Sequence, residues 1–200
     1  MRVHLIFRLT LAVVLAAPTL PALAQAAPAA GTDGGIPLSV GGGFSLWDPN
    51  WGSGLMEGGT VWAEWNLQTS YPAVRGFSLA AELRDISIGG SSTQPNLRQD
   101  TAAAGLKYAW PHYKKVHPYF KVLGGGFSED FYLGPAAPNY RHDTRGMVAV
   151  GLGADFHAAG PIWLRADYEY QFWEELLHGY SQPNGVTIGF MYNFKGARAH

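Results

Sequence analysis

Residues 185–194, Gly-Val-Thr-Ile-Gly-Phe-Met-Tyr-Asn-Phe, alternate between large apolar or aromatic side chains and small or mild ones. Period two is the signature of a strand whose successive side chains point to opposite faces. Val186, Ile188, Phe190, Tyr192 and Phe194 then share one greasy face. The other end of the chain says what such a face could meet. Met1 and Arg2, with Arg8, precede an apolar run over 9–17 and a small-residue site Ala22-Leu23-Ala24, the layout of a cleavable export signal over 1–24. That run is too short for a membrane-crossing helix, which needs about 20 apolar residues. An exported chain with greasy strand faces and no helical span crosses a membrane, if it crosses one, with strands.

Composition narrows the classes further. Removing the two arginines of the leader takes the formal net charge from −1 to −3, which gives nucleic acid no basic surface to bind. The chain has no cysteine, so disulfides cannot staple it outside the cytoplasm, and a backbone ladder and packing must hold it. The stretch 25–36 is rich in Ala, Pro and Gly and reads as a flexible lead-in; 37–194 is the folded domain and 195–200 a short tail.

Eight alternating segments fill that domain, over about 38–47, 59–68, 76–88, 99–110, 118–127, 147–157, 162–173 and 185–194. In the third the alternation slips after Arg84, where a bulge is expected. In the fifth, Gly124-Gly125-Gly126 weakens the pattern, and Lys121 facing inward leaves Phe120 and Val122 facing out. An even count of strands of roughly 9 to 13 residues is what a single-chain bacterial barrel needs, and the fold class expected is an all-β, eight-stranded antiparallel up-and-down transmembrane barrel. Connections after strands one, three, five and seven are generally the longer ones, which puts them outside the cell and the termini in the periplasm. Trp65, Phe77, Tyr108, Trp110, Phe120, Phe156 and Phe194 then form an aromatic belt at the periplasmic edge, and Phe44, Tyr170 and Phe172 part of the opposite one.

The pattern resembles the small eight-stranded outer-membrane barrels, the family of the outer-membrane protein A transmembrane domain and outer-membrane protein X. The likeness spans about 38–194 and rests on strand count, loop asymmetry, the run Arg165-Ala166-Asp167-Tyr168-Glu169-Tyr170 and a last strand ending in an aromatic. It implies residence in a bacterial outer membrane among lipid and lipopolysaccharide, passage through the export machinery, and recognition of Tyr192 and Phe194 by the barrel-assembly machinery. The chain departs from the family in carrying 195–200 after that aromatic.

The alternation turns nine charged side chains inward: Glu64, Glu82, Arg84, Lys107, Lys121, Asp155, Arg165, Asp167 and Glu169. Five are negative and four positive, a near balance that suits a salt-bridge plug better than a selective pore, since eight strands enclose only enough room for side chains. The function expected is structural or surface-interactive, without enzymatic activity; the competing readings are a lipid A or phospholipid-modifying outer-membrane enzyme and a narrow solute channel. A hydrolase needs a nucleophile beside a base. His142, Asp143 and Ser128 around the longest loop, or His178 and Ser181 in the last, supply the residue types, but no His and Ser stand adjacent in a lipid-facing strand. His112 and His117 flank a turn with Lys114 and Lys115, which repel a metal cation, and neither Gly41-Gly42-Gly43 nor Gly124-Gly125-Gly126 has the context of a phosphate loop, so no metal or cofactor is expected. Surface ligands are assigned to loops 128–144 and 47–56, whose aromatics, Trp47 and Trp51 among them, either bind a partner or cap the mouth.

Overall fold

The computed structural model describes residues 36–50, 54–67, 74–88, 97–110, 115–131, 141–173 and 182–194, all within the compact unit Gly35–His200. Eight strands follow in chain order: β1 Leu38–Asp48, β2 Met56–Asn66, β3 Phe77–Ile88, β4 Leu97–Ala109, β5 Val116–Phe131, β6 Arg141–Ala159, β7 Ile162–Trp173 and β8 Asn184–Asn193. Each pairs antiparallel with the next, and β1 pairs with β8 to close the barrel. Closure leaves no edge, so every strand finds its hydrogen-bonding partners within the wall. The leader, the lead-in up to residue 35 and the tail 195–200 lie outside the described residues.

β1 begins and β8 ends at the same end of the barrel, here called the terminal end. The wall is greasy outside over most of its height. Leu79, Leu83, Leu106, Val150, Leu152, Ile188 and Phe190 all point out and are exposed. Phe77, Tyr108, Trp110 and Phe120 form a cluster of rings near the terminal end, with centroids 4.9–6.1 Å apart. Tyr170 and Phe172 meet edge to face on the outer surface toward the far end.

Three expectations change. No bulge follows Arg84: β3 pairs without interruption with both neighbours through Ser87. The apparent slip is a change of polarity, because beyond Leu83 the outward residues are Asp85 and Ser87 while Ile86 and Ile88 point in. The register shift in the wall lies instead between His157 and Ala159, at the tight connection to β7. The glycine run of β5 is regular, each glycine paired to β4 and β6, and the strand continues to Phe131. With β6 starting at Arg141, both ends of the expected 128–144 loop, 128–131 and 141–144, are sheet and the connection shrinks to 132–140. Trp47 is not a loop residue either. It closes β1, points inward and is buried, which favours the capping role for it; Trp51 lies outside the described residues.

Candidate functional site

Alternation carries the nine charged side chains into the barrel, where all are buried. They form two groups. Nearer the terminal end, Lys107 Nζ donates to both oxygens of Glu64 at 3.0 Å and to Asp155 Oδ2 at 2.6 Å. Arg165 donates to Asp155 through Nε at 2.7 Å and Nη2 at 3.0 Å, and its Nη2 reaches Glu64 Oε1 at 2.6 Å. Further along, Lys121 Nζ sits among Glu82 at 2.6 Å, Asp167 at 2.5 Å and Glu169 at 2.8 Å. Arg84 adds Glu169 at 3.1 Å and Thr60 Oγ1 at 3.0 Å. Oxygens of Glu82, Asp167 and Glu169 gather within 4.8 Å, a spacing that could hold a cation, and the Lys121 ammonium lies against all three.

Tyr119 joins the groups. Its ring lies 3.9 Å from Lys107 Nζ and its hydroxyl donates to Asp167 Oδ1 at 2.9 Å. Two tryptophans finish the stack. Arg165 lies over Trp62 at 4.8 Å and Arg84 over Trp47 at 3.9 Å. Each indole needs a neighbour without a Cβ: one added at Gly41 would fall 2.4 Å from Trp62, and one at Gly185 2.6 Å from Trp47. The chain thus forms a column of aromatic faces and ion pairs along the axis. Close pairing of this kind tolerates burial of charge, whereas loss of one partner strands the others.

Beyond this column the far end is lined differently. Trp47, Met56, Ile86, Ile88 and Leu97 make one apolar cluster. Phe127 stacks on Trp173 with ring centroids 3.8 Å apart and Met147 beside them. Gln99 and Glu129 sit opposite each other in the β4–β5 register, fully buried, with no hydrogen-bond partner for either head group. This part of β5 rises past the greasy wall, since its outward neighbours are Ser128 and Asp130. Burial, with Asp143 across the β5–β6 ladder, pushes the Glu129 carboxyl up to about 8. The sequence reading missed Glu129 because it stopped strand five at 127; carrying the alternation of Lys121, Leu123, Gly125 and Phe127 one step further would have found it.

The outward face at the far end is polar in two successive rows. Register aligns Asp85, Asp100, Ser128 and Thr144 in the first, directly above Leu83, Ala102, Gly126 and Gly146. Ser87, Arg98, Asp130 and His142 form the second. Arg98 bridges Asp85 at 2.9 Å and Asp100 at 3.3 Å on the surface.

Asp130 lies opposite His142, with its Oδ1 2.5 Å from the ring Nδ1. The other ring nitrogen, Nε2, is 3.5 Å from Ser128 Oγ and 3.1 Å from Thr144 Oγ1. A serine and a histidine therefore do meet on outward-facing strand positions, in the polar rows above the greasy wall and not in the lipid-facing part to which the expectation from sequence applied. The acid beside His142 is Asp130 rather than Asp143, whose carboxylate instead receives Arg145 Nε at 3.0 Å. His178, Ser181 and His112 lie outside the described residues. His117 is a partly buried ring 4.7 Å from Trp163.

At the terminal end, Tyr192 and Phe194 are exposed on the outer surface and meet edge to face at 4.9 Å. The Phe194 amide donates to Leu38 O at 3.0 Å.

Comparison with known proteins agrees with this architecture. No curated protein matches the sequence. Among solved structures, neisserial surface protein A superposes with a TM-score of 0.58 at 15% identity, covering 78% of this chain and 96% of that one. Ail, the attachment invasion locus protein of Yersinia pestis, gives 0.55 at 15% identity over 82% of this chain and all of its own. OprG from Pseudomonas aeruginosa gives 0.54 at 13% identity, covering 82% of this chain and 99% of that one. At such identities the likeness is one of fold. Residues 10–194 match the family model of the outer membrane protein beta-barrel domain, and with eight strands closed into a greasy-walled barrel, the chain belongs to that family of small outer-membrane β-barrels.

Proposed function

We propose that this protein is a sealed barrel with a structural or surface-interaction role, its termini in the periplasm and its far end at the cell surface. The interior column carries the reading. Nine charged side chains, interlocked by contacts mostly of 2.5–3.1 Å and stacked against Trp47, Trp62 and Tyr119, fill the space a conduit would need. A selective pore would need a lining of one dominant charge and a continuous water path. Here acids and bases alternate and saturate one another. Supporting that orientation, the terminal-end connections 110–115 and 160–161, with 67–76 the longer exception, are shorter than 49–55, 89–96, 132–140 and 174–183 at the far end.

Two similar folds are named as a surface protein and an attachment protein, which supports a surface-directed role for the far end. A partner would meet the connecting segments 49–55 and 132–140, the remnants of the two expected binding loops, together with the polar rows beneath them. Tyr192 and Phe194, exposed at the end of β8, suit the terminal signal read by an assembly machinery, with outer-membrane lipid and lipopolysaccharide as the surrounding contacts.

Planar bilayers test the sealed interior. Purified protein should show little steady conductance, and large uniform channels would contradict the plug.

A further inference from the structure

We propose that Ser128, His142 and Asp130 form an ester-hydrolysing triad on the outer wall of the far end, directed at fatty acyl esters of membrane lipids. The geometry brings together the nucleophile, base and orienting acid of such a site. Asp130 Oδ1, 2.5 Å from His142 Nδ1, accepts that nitrogen's proton in a hydrogen bond and so fixes the tautomer. Nε2 is then left with its lone pair toward Ser128 Oγ at 3.5 Å. That distance is the outer limit of a hydrogen bond, and contacts of this kind tighten once substrate displaces water. Thr144 Oγ1 is nearer, at 3.1 Å, but it is a secondary hydroxyl crowded by its own methyl group. Ser128 faces it directly across the ladder and offers the less hindered nucleophile.

Depth and surroundings name the substrate class. Ser128 stands in the first polar row above the greasy wall, the level at which acyl esters of lipids meet their head groups. Asp130 and His142 stand one row further out. Directly below the serine the wall is stripped of bulk. Gly126, Gly124, Ala102, Ala104 and Gly146 occupy adjoining outward positions in register, and a Cβ placed at Gly124 would meet nothing within 4 Å. An acyl chain can lie in that shallow track with its ester carbonyl at Ser128, while Val148 flanks it and Val122 closes its lower end.

In the reaction, Ser128 Oγ attacks the ester carbonyl as its proton passes to His142 Nε2. The C–O bond to the lipid alcohol then breaks, and the alkoxide leaves with that proton. Water, deprotonated by the same nitrogen, attacks the acyl-serine and releases the fatty acid, returning the proton to Ser128. Asp130 acts through the imidazole as a positioning residue.

The test uses the full chain refolded into vesicles, one set of phosphatidylethanolamine and phosphatidylglycerol, a second containing lipopolysaccharide, with released fatty acid measured by mass spectrometry. The wild type should release fatty acid from at least one set, and the set that yields it identifies the lipid. S128A and H142N should lower the rate by at least ~100-fold, and T144A should leave it within about threefold of wild type. D130N should lower kcat by ~100-fold with KM nearly unchanged, and D130E should restore part of it. A fluorophosphonate should label the wild type at Ser128 and leave S128A unlabelled, a readout independent of lipid. No release from either vesicle, equal release by S128A, or label on Thr144 would overturn the assignment. Each variant is first checked for faster gel migration when unboiled, so that loss of the barrel is not read as loss of chemistry.

Discussion

The wall in contact with lipid and the far end above it are built from the same eight strands with opposite chemistry. In the lipid zone large apolar side chains point out, as Leu79, Leu83, Leu152 and Ile188 do, and Glu64, Lys107, Lys121 and Arg165 point in. Past Leu83 and Gly126 the assignment reverses: Asp85, Arg98, Ser128 and Asp130 point out, and Ile86, Leu97 and Phe127 point in. Alternation is a property of the backbone and does not change. What changes is the solvent that each face meets, so the same strand is a membrane wall in its lower part and resembles a water-soluble sheet in its upper part. The comparison teaches that burial energetics should differ in kind between the two zones, and substitutions can set one against the other.

The largest effect is expected from the interior column. Arg165→Met leaves Glu64 and Asp155 sharing only Lys107 and should cost about 3–5 kcal/mol, read as a lower urea midpoint for the barrel in vesicles. An unchanged midpoint would mean the column does not hold the barrel together. Next comes the outward face: Leu152→Arg, in the middle of the greasy band of β6, should cost about 2–4 kcal/mol. Ser87→Arg, outward in the polar rows, should change little, and equal costs at the two positions would erase the boundary drawn between them.

Glu129 probes the buried side of the far end. Its carboxyl keeps a proton to about pH 8 in the folded barrel, against an ordinary 4.5. The native state thus binds more protons over that window, and stability is fullest below about pH 4.5 and declines as pH rises through 8. Glu129→Gln should flatten this decline and stabilise the barrel at pH 9 by up to ~5 kcal/mol. A decline of the same slope in the variant would assign it to other groups. The smallest effect belongs to Arg98→Met: its ion pairs with Asp85 and Asp100 are open to water, so the loss should stay below about 1 kcal/mol and shrink further with salt.

The eight strands were legible in the sequence because a greasy outward face and a polar inward one reinforce the period-two pattern through the lipid zone. There the inward positions of Glu82, Arg165 and Asp167 follow from parity alone. Their pairing does not, since Lys107 meets Asp155 and Lys121 meets Asp167 across the lumen, through a curvature that no local pattern encodes. Reading failed at the far end for a single reason. Apolar-outward alternation marks a strand only where lipid faces it, and once polarity reverses, 128–131 and 141–146 look like loop. Trp47 was misplaced in the same way: parity with Ser45 sends it inward, but a tryptophan beside Asp48 and Pro49 reads as exposed. The encounter of Ser128, Asp130 and His142 stayed hidden with those strand ends, because only the β5–β6 register brings them together.

The reversal itself can be measured directly. The chain has no cysteine, so single cysteines at Leu83, Ala102, Ser87 and Ser128 each carry one spin label without background. With the barrel in lipid vesicles, labels at 83 and 102 should be relaxed by dissolved oxygen and shielded from a water-soluble nickel chelate, and labels at 87 and 128 should show the opposite. Nickel access at 83 and 102, or a shielded label at 87 or 128, would contradict a membrane boundary between the level of Leu83 and Ala102 and the polar rows above it.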